Sequence, residues 1–471
     1  MTSSPAPVLP HADSSAQVLQ LPALRHQRDY RNWWCADTSA LLAGSIYSFA
    51  IPLLLLALTG SPAQAGLLAA VGSTARIGLT LSGGSLADRT NRSRLMVLGG
   101  TLGAVLTGTL ALISWIGTLG AAVLCIGHVL LELRGGLFSS ATDAALKDVV
   151  HSKQLGRAMA ANQGRDAVLS LGGAPLGGLL LGLGAAPTLA FVAVFQLLSA
   201  IFGRTLAPAM ARAERTAAAD PQHQPSAQGI LSGLRWCFSR PQLRMILWVM
   251  VAVNLGVNGA VTTLVYGLRY RGESTFSIGL VSACMGVGLL LGSLAATWLI
   301  DRVATGILAC LGLSTLSLSM LLLAVNGELW WLGLILAAAF ASVPALNAAV
   351  GGYFMAIVPR DMVGRANSVM MFMAMVAMPV GLVVAGIGVE LAGMAPTLVF
   401  FALLSTLATL AGWTSRQIRS IPGPALWSES TAAPAATASA GRNSARGPAS
   451  GWDTGQLRER RLEPQGQWIY L

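Results

Sequence analysis

Long apolar stretches separated by short polar breaks run along most of the chain. A helix needs about 20 apolar residues to cross the hydrocarbon core of a bilayer, and windows of this length predict twelve membrane-spanning helices. Helices are favoured over a β-barrel because the stretches are continuous rather than alternating. The predicted spans are residues 35–58, 64–82, 95–116, 119–141, 158–182, 186–207, 243–267, 276–300, 305–325, 328–352, 366–390 and 395–415.

Basic residues between the predicted spans fall mainly on one side. The connections that follow even-numbered helices carry Arg and Lys, whereas the opposite connections carry few, with 268–275 as the exception. Because cytoplasmic loops are enriched in Arg and Lys, this pattern predicts a multi-pass protein of the plasma membrane with both termini in the cytoplasm. The residues that set this orientation are Arg89, Arg92, Arg94, Lys147, Lys153, Arg157, Arg302, Arg360 and Arg365.

The composition agrees with a membrane protein rather than a water-soluble one. Hydrophobic residues make up 54% of the chain and charged residues 10%, whereas soluble domains have about 25% charged residues. The net charge of +11 lies mostly in the predicted cytoplasmic loops and terminal segments. Membrane lipids with anionic headgroups are therefore the expected partner of these residues, and nucleic acid is not.

Short sequence repeats divide the chain into two halves. Residues 84–87, Gly-Ser-Leu-Ala, recur at 292–295, and residues 156–158, Gly-Arg-Ala, recur at 364–366. Both repeats have the same spacing, which is typical of transporters built from two related bundles. The predicted parts are a cytoplasmic segment 1–32, a six-helix bundle 33–207, a cytoplasmic linker 208–242, a second bundle 243–415 and a disordered cytoplasmic tail 416–471.

Enzyme and metal-site motifs are missing from the sequence. The chain has no nucleotide-binding loop and no metalloprotease motif, and its five cysteines and five histidines are scattered singly. We therefore predict neither an enzyme nor a cofactor or metal site. Any uphill transport would have to draw on an ion gradient or a partner.

Ionisable residues inside predicted spans lie almost entirely in the first half. Such residues are costly in the hydrocarbon core and usually face a cavity or one another. Glu132 is the deepest carboxylate and stands near Arg134, so it either exchanges a proton during transport or only pairs with Arg134 to hold helices together. Asp166 is the second candidate for proton coupling. The cavity charges predicted from the spans are Arg76, Glu132, Arg134, Arg165 and Asp166.

The second half offers uncharged polar groups instead. Asn254 and Asn258 are four residues apart on one helical face, and they line a substrate pathway or form hydrogen bonds between helices. Tyr266 and Asn347 are the other pathway candidates. A charged first half and an apolar second half favour a hydrophobic or amphipathic substrate over a sugar or a dicarboxylate.

The segment from Gly84 to Arg94, Gly-Ser-Leu-Ala-Asp-Arg-Thr-Asn-Arg-Ser-Arg, resembles the loop between the second and third helices of major facilitator superfamily transporters. This resemblance implies a twelve-helix, all-α membrane fold made of two pseudo-symmetric six-helix bundles. It also implies a gating role for the loop, with Gly84 at a close helix contact and Asp88 as a latch between the bundles. Arg89 belongs to the same motif, and the resemblance implies Arg92, with or without Asp143, as the partner of Asp88.

Two further segments resemble the enterobactin-exporter and macrolide-efflux branch of that superfamily. They are residues 50–62 in the first helix and the fifth-helix stretch with Gly173, Pro175, Gly177 and Gly178, which is similar to the helix-packing motif of antiporters. The chain departs from the branch at Gly44, where an Asp is usual. Asp37, nearly two turns earlier, is then the only first-helix carboxylate available as a proton site.

These observations predict a secondary active transporter, most simply a proton-coupled exporter of a hydrophobic or amphipathic small molecule such as a drug, antibiotic or siderophore. Its partners would be that substrate and protons, and the protein would act as a monomer. The alternatives are an uptake or facilitated transporter of a small metabolite, and a non-transporting membrane scaffold or sensor with the same fold.

Overall fold

The structure is a computed structural model that describes residues 22–151, 154–211, 230–358 and 362–427. The first bundle consists of six helices: α1 (Arg28–Thr59), α2 (Pro62–Arg89), α3 (Arg92–Trp115), α4 (Ala121–Val149), α5 (Leu155–Leu183) and α6 (Ala185–Thr205). A shorter helix, α7 (Ile230–Ser239), lies in the predicted linker. The second bundle consists of α8 (Pro241–Tyr270), α9 (Thr275–Arg302), α10 (Thr305–Leu323), α11 (Leu329–Ala341), α12 (Val343–Ile357), α13 (Val363–Ala392) and α14 (Met394–Thr414).

The predicted tenth span is a broken helix. It divides at Ser342 into α11 and α12, with a proline in the first turn of α12. Proline has no N–H to donate and its ring crowds the preceding turn, so a continuous helix cannot pass through it undisturbed. Counting α11 and α12 as one span, the described residues form twelve long helical units, which confirms the predicted fold class.

Eleven helices among the described residues are long and apolar enough to span a membrane, with α11 and α12 counted together. The remaining unit is α2, which has 28 residues but is less apolar. Arg76 and a run of Gly, Ser and Thr residues lie within it. Its sequence is typical of a helix that faces protein and a cavity on several sides rather than lipid.

The two bundles have the same internal plan. In the first, α3 packs on α6, and α2 packs on α4; in the second, α9 packs on α11, and α10 packs on α14. The bundles meet along two helix pairs, α2 with α13 and α5 with α9. We define the outer end of the molecule as the end that holds the α1–α2 and α13–α14 connections, and the inner end as the opposite one.

Glycines bring the bundles together at the outer end. A methyl group added to Gly66 of α2 would overlap the carbonyl oxygen of Leu382 in α13. On the other helix pair, a methyl group at Gly178 of α5 would overlap the carbonyl oxygen of Thr275 in α9, whose hydroxyl donates to the Gly178 carbonyl at 2.8 Å. Such backbone contacts are possible only for small residues, so the outer end is closed.

A carboxylate adds a polar contact to this closure. Glu390 of α13 accepts a short hydrogen bond from the Ser61 hydroxyl and a second one of 3.0 Å from the Ala63 N–H. Both donors lie at the first turn of α2. The free N–H groups and the helix dipole favour a negative charge there.

The residues that follow α14 fold back on the inner end of the second bundle. We call residues 415–427 the strap. Ile418 and Ile421 are buried in the apolar core, and the Gly306 N–H donates to the Ile421 carbonyl at 3.2 Å. The Trp427 indole N–H donates to Thr305 at 3.2 Å and to the Pro422 carbonyl at 2.9 Å. The sequence predicted a disordered tail from residue 416, and this is wrong for 416–427, because apolar side chains of the strap are buried against α10.

Gly306 allows the strap to lie close to α10. A methyl group there would overlap the carbonyl oxygen of Ile418, which is backbone and cannot rotate away. Gly306→Ala is therefore expected to displace the strap and to speed tryptic cleavage after the exposed Arg416 and Arg419 severalfold, measured as a time course on the purified protein. Gly412→Ala in α14 is the control, because its added methyl group meets side-chain atoms at 3.4 Å or more. Equal cleavage rates in the two variants would contradict this account of the strap.

Candidate functional site: a charged cavity in the first bundle

An open cavity of about 550 Å³ lies within the first bundle. Its wall is formed by residues from all six helices of this bundle. Asp143, in the inner half of α4, is an exposed residue of this wall. The charged side chains in its wall are Asp37, Arg76, Arg134, Asp143 and Asp166.

An acidic cluster forms where α1 and α5 cross. Arg165 Nη2 lies 2.5 Å from Asp37 Oδ2 and 2.8 Å from Asp166 Oδ1, and Arg165 Nε donates to the same Asp166 oxygen at 3.0 Å. The Arg165 guanidinium also stands 5.8 Å and 5.7 Å from the ring centroids of Trp33 and Trp34. Arg165 therefore forms ion pairs with two carboxylates at once, and the aromatic rings partly shield these ion pairs from water.

Asp143 adds a third carboxylate to this cluster. It is close enough to interact electrostatically with Asp166 and Arg165. Lys147, one turn further along α4, is exposed near the inner end. Asp37 lies inside the cavity, so the first helix of this chain does present a carboxylate to the interior although Gly44 stands at the usual position.

A second cluster lies deeper, near the middle of α2 and α4. Glu132 forms a 3.4 Å ion pair with Arg76. Arg134, expected to pair with Glu132, instead donates to the Gly99 carbonyl at 2.7 Å and to Gln196 Oε1 at 2.9 Å. The predicted Glu132–Arg134 pair is replaced in this way because residues two apart on a helix point in different directions.

His128 belongs to the deeper cluster and was missed by the sequence analysis. Its Nδ1 lies 3.1 Å from the Tyr47 hydroxyl and 4.0 Å from Glu132 Oε1, and its side chain is buried. The i, i+4 spacing of His128 and Glu132 places them on one face of α4 and was the signal available in the sequence.

Carboxylates outnumber guanidinium groups in and beside the cavity. In the part of the chain that the structure describes, Asp37, Glu132, Asp143 and Asp166 face Arg76, Arg134 and Arg165. The described residues contain no group of three or more His, Cys, Asp or Glu side chains arranged to hold a metal ion. The arrangement suits exchange of protons or binding of a positively charged organic group.

The gating motif is only partly described. The side chains of Asp88 and Arg89 lie outside the residues whose placement the structure describes. Arg92 pairs with Asp148 of α4, at 2.6 and 2.7 Å, rather than with Asp143. Asp148 is more than one helical turn closer to the inner end, where α3 begins.

The glycine at the close helix contact is Gly83, not Gly84. A methyl group at Gly84 would meet no atom within 4 Å, whereas one at Gly83 would overlap the carbonyl oxygen of Gly136 in α4. The close helix contact was therefore predicted one residue too late in the sequence, because only one of two successive glycines can face α4.

The fifth-helix glycines each have a different neighbour. Gly173 faces Ser45 of α1, and Gly178 faces α9. Gly177 faces Phe49 of α1, which a methyl group added to this glycine would approach to 3.0 Å. Pro175 lies between them inside α5. The motif thus packs α5 against its own bundle and against the other one.

The polar residues predicted for the second half do not form a common site. The Asn254 and Asn258 side chains donate to carbonyls one turn earlier in α8, those of Met250 at 3.0 Å and Asn254 at 2.9 Å. Tyr266 is fully buried in the apolar core and does not line a pathway. Asn347 lines a small apolar cavity of about 70 Å³ inside the second bundle.

Comparison with known proteins identifies the family to which this chain belongs. The Major Facilitator Superfamily model matches residues 34–325, which is more than half of the 471 residues. The chain therefore belongs to the Major Facilitator Superfamily, whose members are membrane transporters of small molecules. No curated protein sequence matches the chain.

Several solved structures share the fold at low sequence identity. A bacterial homologue of the iron transporter ferroportin in an inward-facing state is 15% identical, with a TM-score of 0.65, and the match covers 84% of this chain and 100% of that one. A bacterial homologue of the human lysosomal transporter Spinster is 13% identical, with a TM-score of 0.62 and coverages of 85% and 98%. The nucleoside transporter NupG is 13% identical, with a TM-score of 0.58 and coverages of 81% and 99%.

Proposed function

We propose that this transporter is a proton-coupled exporter of amphipathic or hydrophobic small molecules in the plasma membrane. The observation that supports this most directly is the acidic cluster, in which Arg165 is shared between Asp37 and Asp166 inside an open cavity. A group of this kind can take up a proton without leaving an isolated buried cation, because the guanidinium keeps a second carboxylate partner.

Competition between a proton and a cationic substrate would link their movements. A proton on Asp37 or Asp166 removes a negative charge beside Arg165, and a positively charged group of a substrate would bind to the same carboxylates. Each therefore weakens the binding of the other, and this reciprocal effect is the thermodynamic basis of antiport.

The conformation fits loading from the inner end. The outer end is closed by the glycine contacts and by Glu390, whereas the wall of the charged cavity includes the exposed Asp143 in the inner half of α4. With the orientation predicted from the basic loops, the inner end faces the cytoplasm, and the substrate would be taken up there and released outside after the bundles rock against each other.

Transport in proteoliposomes tests this proposal. A pH gradient would be imposed across the vesicle membrane. The movement of ethidium, a fluorescent amphipathic cation, would then be followed by its fluorescence. We expect wild-type transport against the ethidium gradient to stop when the pH gradient is collapsed. Asp37→Asn should abolish this gradient dependence, because the amide cannot exchange a proton.

Asp301→Asn is the matched control, since Asp301 is exposed at the inner end of α9, outside the cavity. It should transport like the wild type. Transport by the wild-type protein that ignores the pH gradient would refute proton coupling and favour a facilitated transporter. Equal gradient dependence in Asp37→Asn would remove Asp37 from the coupling mechanism.

A further inference from the structure

Arg134 lines the charged cavity and is partly exposed, yet no ion pair with it is found in the part of the chain that the structure describes. It donates to the Gly99 carbonyl and to Gln196 Oε1, which are both uncharged acceptors. Its Nε is buried and has no hydrogen-bond partner among the described residues. The nearby carboxylate of Glu132 pairs with Arg76 instead. Because a guanidinium group forms its strongest hydrogen bonds with charged acceptors, Arg134 is free to bind an anion in the cavity.

The surrounding helices hold Arg134 in this position. Gly103 of α3 leaves room for its guanidinium group, because a methyl group there would overlap Arg134 Nη1. Arg76 of α2 also lines the cavity and is close enough to interact electrostatically with Arg134. Two arginines and the single carboxylate of Glu132 leave one positive charge in excess at this deep end of the cavity.

The acidic cluster gives the same cavity a negative end. Asp37, Asp143 and Asp166 surround the one guanidinium group of Arg165, so these four side chains carry two negative charges in excess. Asp143 lies nine residues beyond Arg134 on α4, which is about 13 Å along the helix axis. The charges of the cavity are therefore separated into a positive deep end and a negative inner end.

The wall between the two ends is uncharged and partly apolar. Phe138 lies between Arg134 and Asp143 on α4, and Leu41 of α1 and Leu169 of α5 line the same cavity. Its volume of about 550 Å³ lies within the usual range of small-molecule sites, which is about 300–1,000 Å³. The cavity thus has room for one molecule with opposite charges at its two ends.

We infer that this cavity binds an amphipathic zwitterion. Arg134 binds the carboxylate of the ligand, the acidic cluster binds its ammonium group, and the apolar side chains contact the chain between them. A cation alone would leave Arg134 without a charged partner, and an anion alone would leave the excess carboxylates without one. This inference rests on the proposed function and specifies its substrate class.

A matched pair of ligands tests the carboxylate site in the wild type. The probes are 6-(trimethylammonio)hexanoate, which is a zwitterion, and its methyl ester, which is a cation with the same chain. The measurement is calorimetric binding to the full-length protein in lipid nanodiscs near neutral pH. We expect the zwitterion to bind about tenfold more tightly or better, the usual contribution of one charge-assisted hydrogen bond. Hexanoate, the anion alone, should bind more weakly than the zwitterion.

Arg134→Gln removes the charge and keeps a hydrogen-bond donor. The ratio of the two affinities should fall to about one, because the zwitterion loses its anion partner and the ester no longer faces a positive group. A purely structural role of Arg134 would weaken both probes alike. Arg134→Lys should keep part of the preference. Arg204→Gln is the matched control, since Arg204 is exposed in the last turn of α6 outside the cavity, and it should keep the wild-type ratio.

The distance between the charges gives a second test on the wild type. Glycine betaine has one methylene group between its charges, which is too short to reach both ends of a site that extends about 13 Å along α4. It should therefore bind no more tightly than its own methyl ester. A preference for the carboxylate that is as large in glycine betaine as in the hexanoate probe would contradict binding at the deep end.

The outcomes separate the inference from the function on which it rests. Equal binding of the zwitterion and its ester to the wild type, or an unchanged preference in Arg134→Gln, would overturn the inference and leave the cation site intact. Hexanoate binding as tightly as the zwitterion would reduce the site to one for anions and would also overturn the inference. Binding of none of the probes to the wild type would overturn the cation site as well.

Discussion

Arg165→Leu is expected to destabilise the folded protein by about 3–5 kcal/mol, the usual cost of removing one partner from a buried ion pair. Arg165 is only 8% exposed and contacts Asp37, Asp166 and the rings of two tryptophans. Without it, Asp37 remains in the wall of the cavity with no cation of its own. The measurement is thermal or denaturant unfolding in detergent, followed by helical circular dichroism.

Two further variants isolate the cause of this loss. Arg157→Leu removes an exposed arginine from the same helix and should change stability little. Asp37→Asn added to Arg165→Leu should restore part of the lost stability, because the unpaired charge is then removed. If Arg165→Leu and Arg157→Leu unfold at the same temperature, the acidic cluster has no role in stability.

Gly178→Ala is expected to shift the protein away from the conformation with a closed outer end. The added methyl group would overlap the Thr275 carbonyl across the interface between the bundles, and the backbone on both sides leaves no side chain to move. Overpacking of this kind costs about 1–3 kcal/mol, which is a change of roughly 5- to 150-fold in the ratio of two conformations. The population of the conformation with separated outer ends, relative to that of the closed conformation, should rise by this factor.

Spin labels on outer loops of the two bundles, at Thr118 and Val325, report this change as a longer distance in pulsed electron resonance. The five native cysteines would first be replaced. Gly182→Ala, one turn further along α5, is the matched control, because its methyl group would lie at an ordinary 3.6 Å from the Thr275 hydroxyl. Unchanged distances in Gly178→Ala would mean that α5 and α9 can adjust without opening.

Local patterns in the sequence were sufficient for the spans, the two halves and most of the charged residues of the site. Hydropathy alone placed α3, α6 and α14 within a few residues of their observed bounds. The same reasoning passed over the break in the tenth span, although Pro344 marks it in the sequence. An apolar stretch contributes the same hydropathy whether or not its helix is continuous.

The pairing of the charged residues could not be predicted in this way. Arg165 and Asp37 lie 128 residues apart, and only the packing of α5 on α1 brings them together. Glu132 and Arg134, close in sequence, point to different neighbours. The strap was missed for a related reason: residues 415–427 have no helical periodicity, and their burial depends on a surface formed by α10 and α12.

Because Ile418 and Ile421 of the strap line the apolar cavity of the second bundle, the folded part of the transporter extends past the last membrane helix at least as far as residue 427. A chain cut after Thr414 would keep every spanning helix and yet lose Ile418, Ile421 and Trp427. The second bundle would then have an uncovered hydrophobic hollow at the water interface, where lipid, detergent or a neighbouring molecule could enter. Truncation at the end of the last membrane helix would therefore expose an apolar surface of the second bundle as well as shorten the chain.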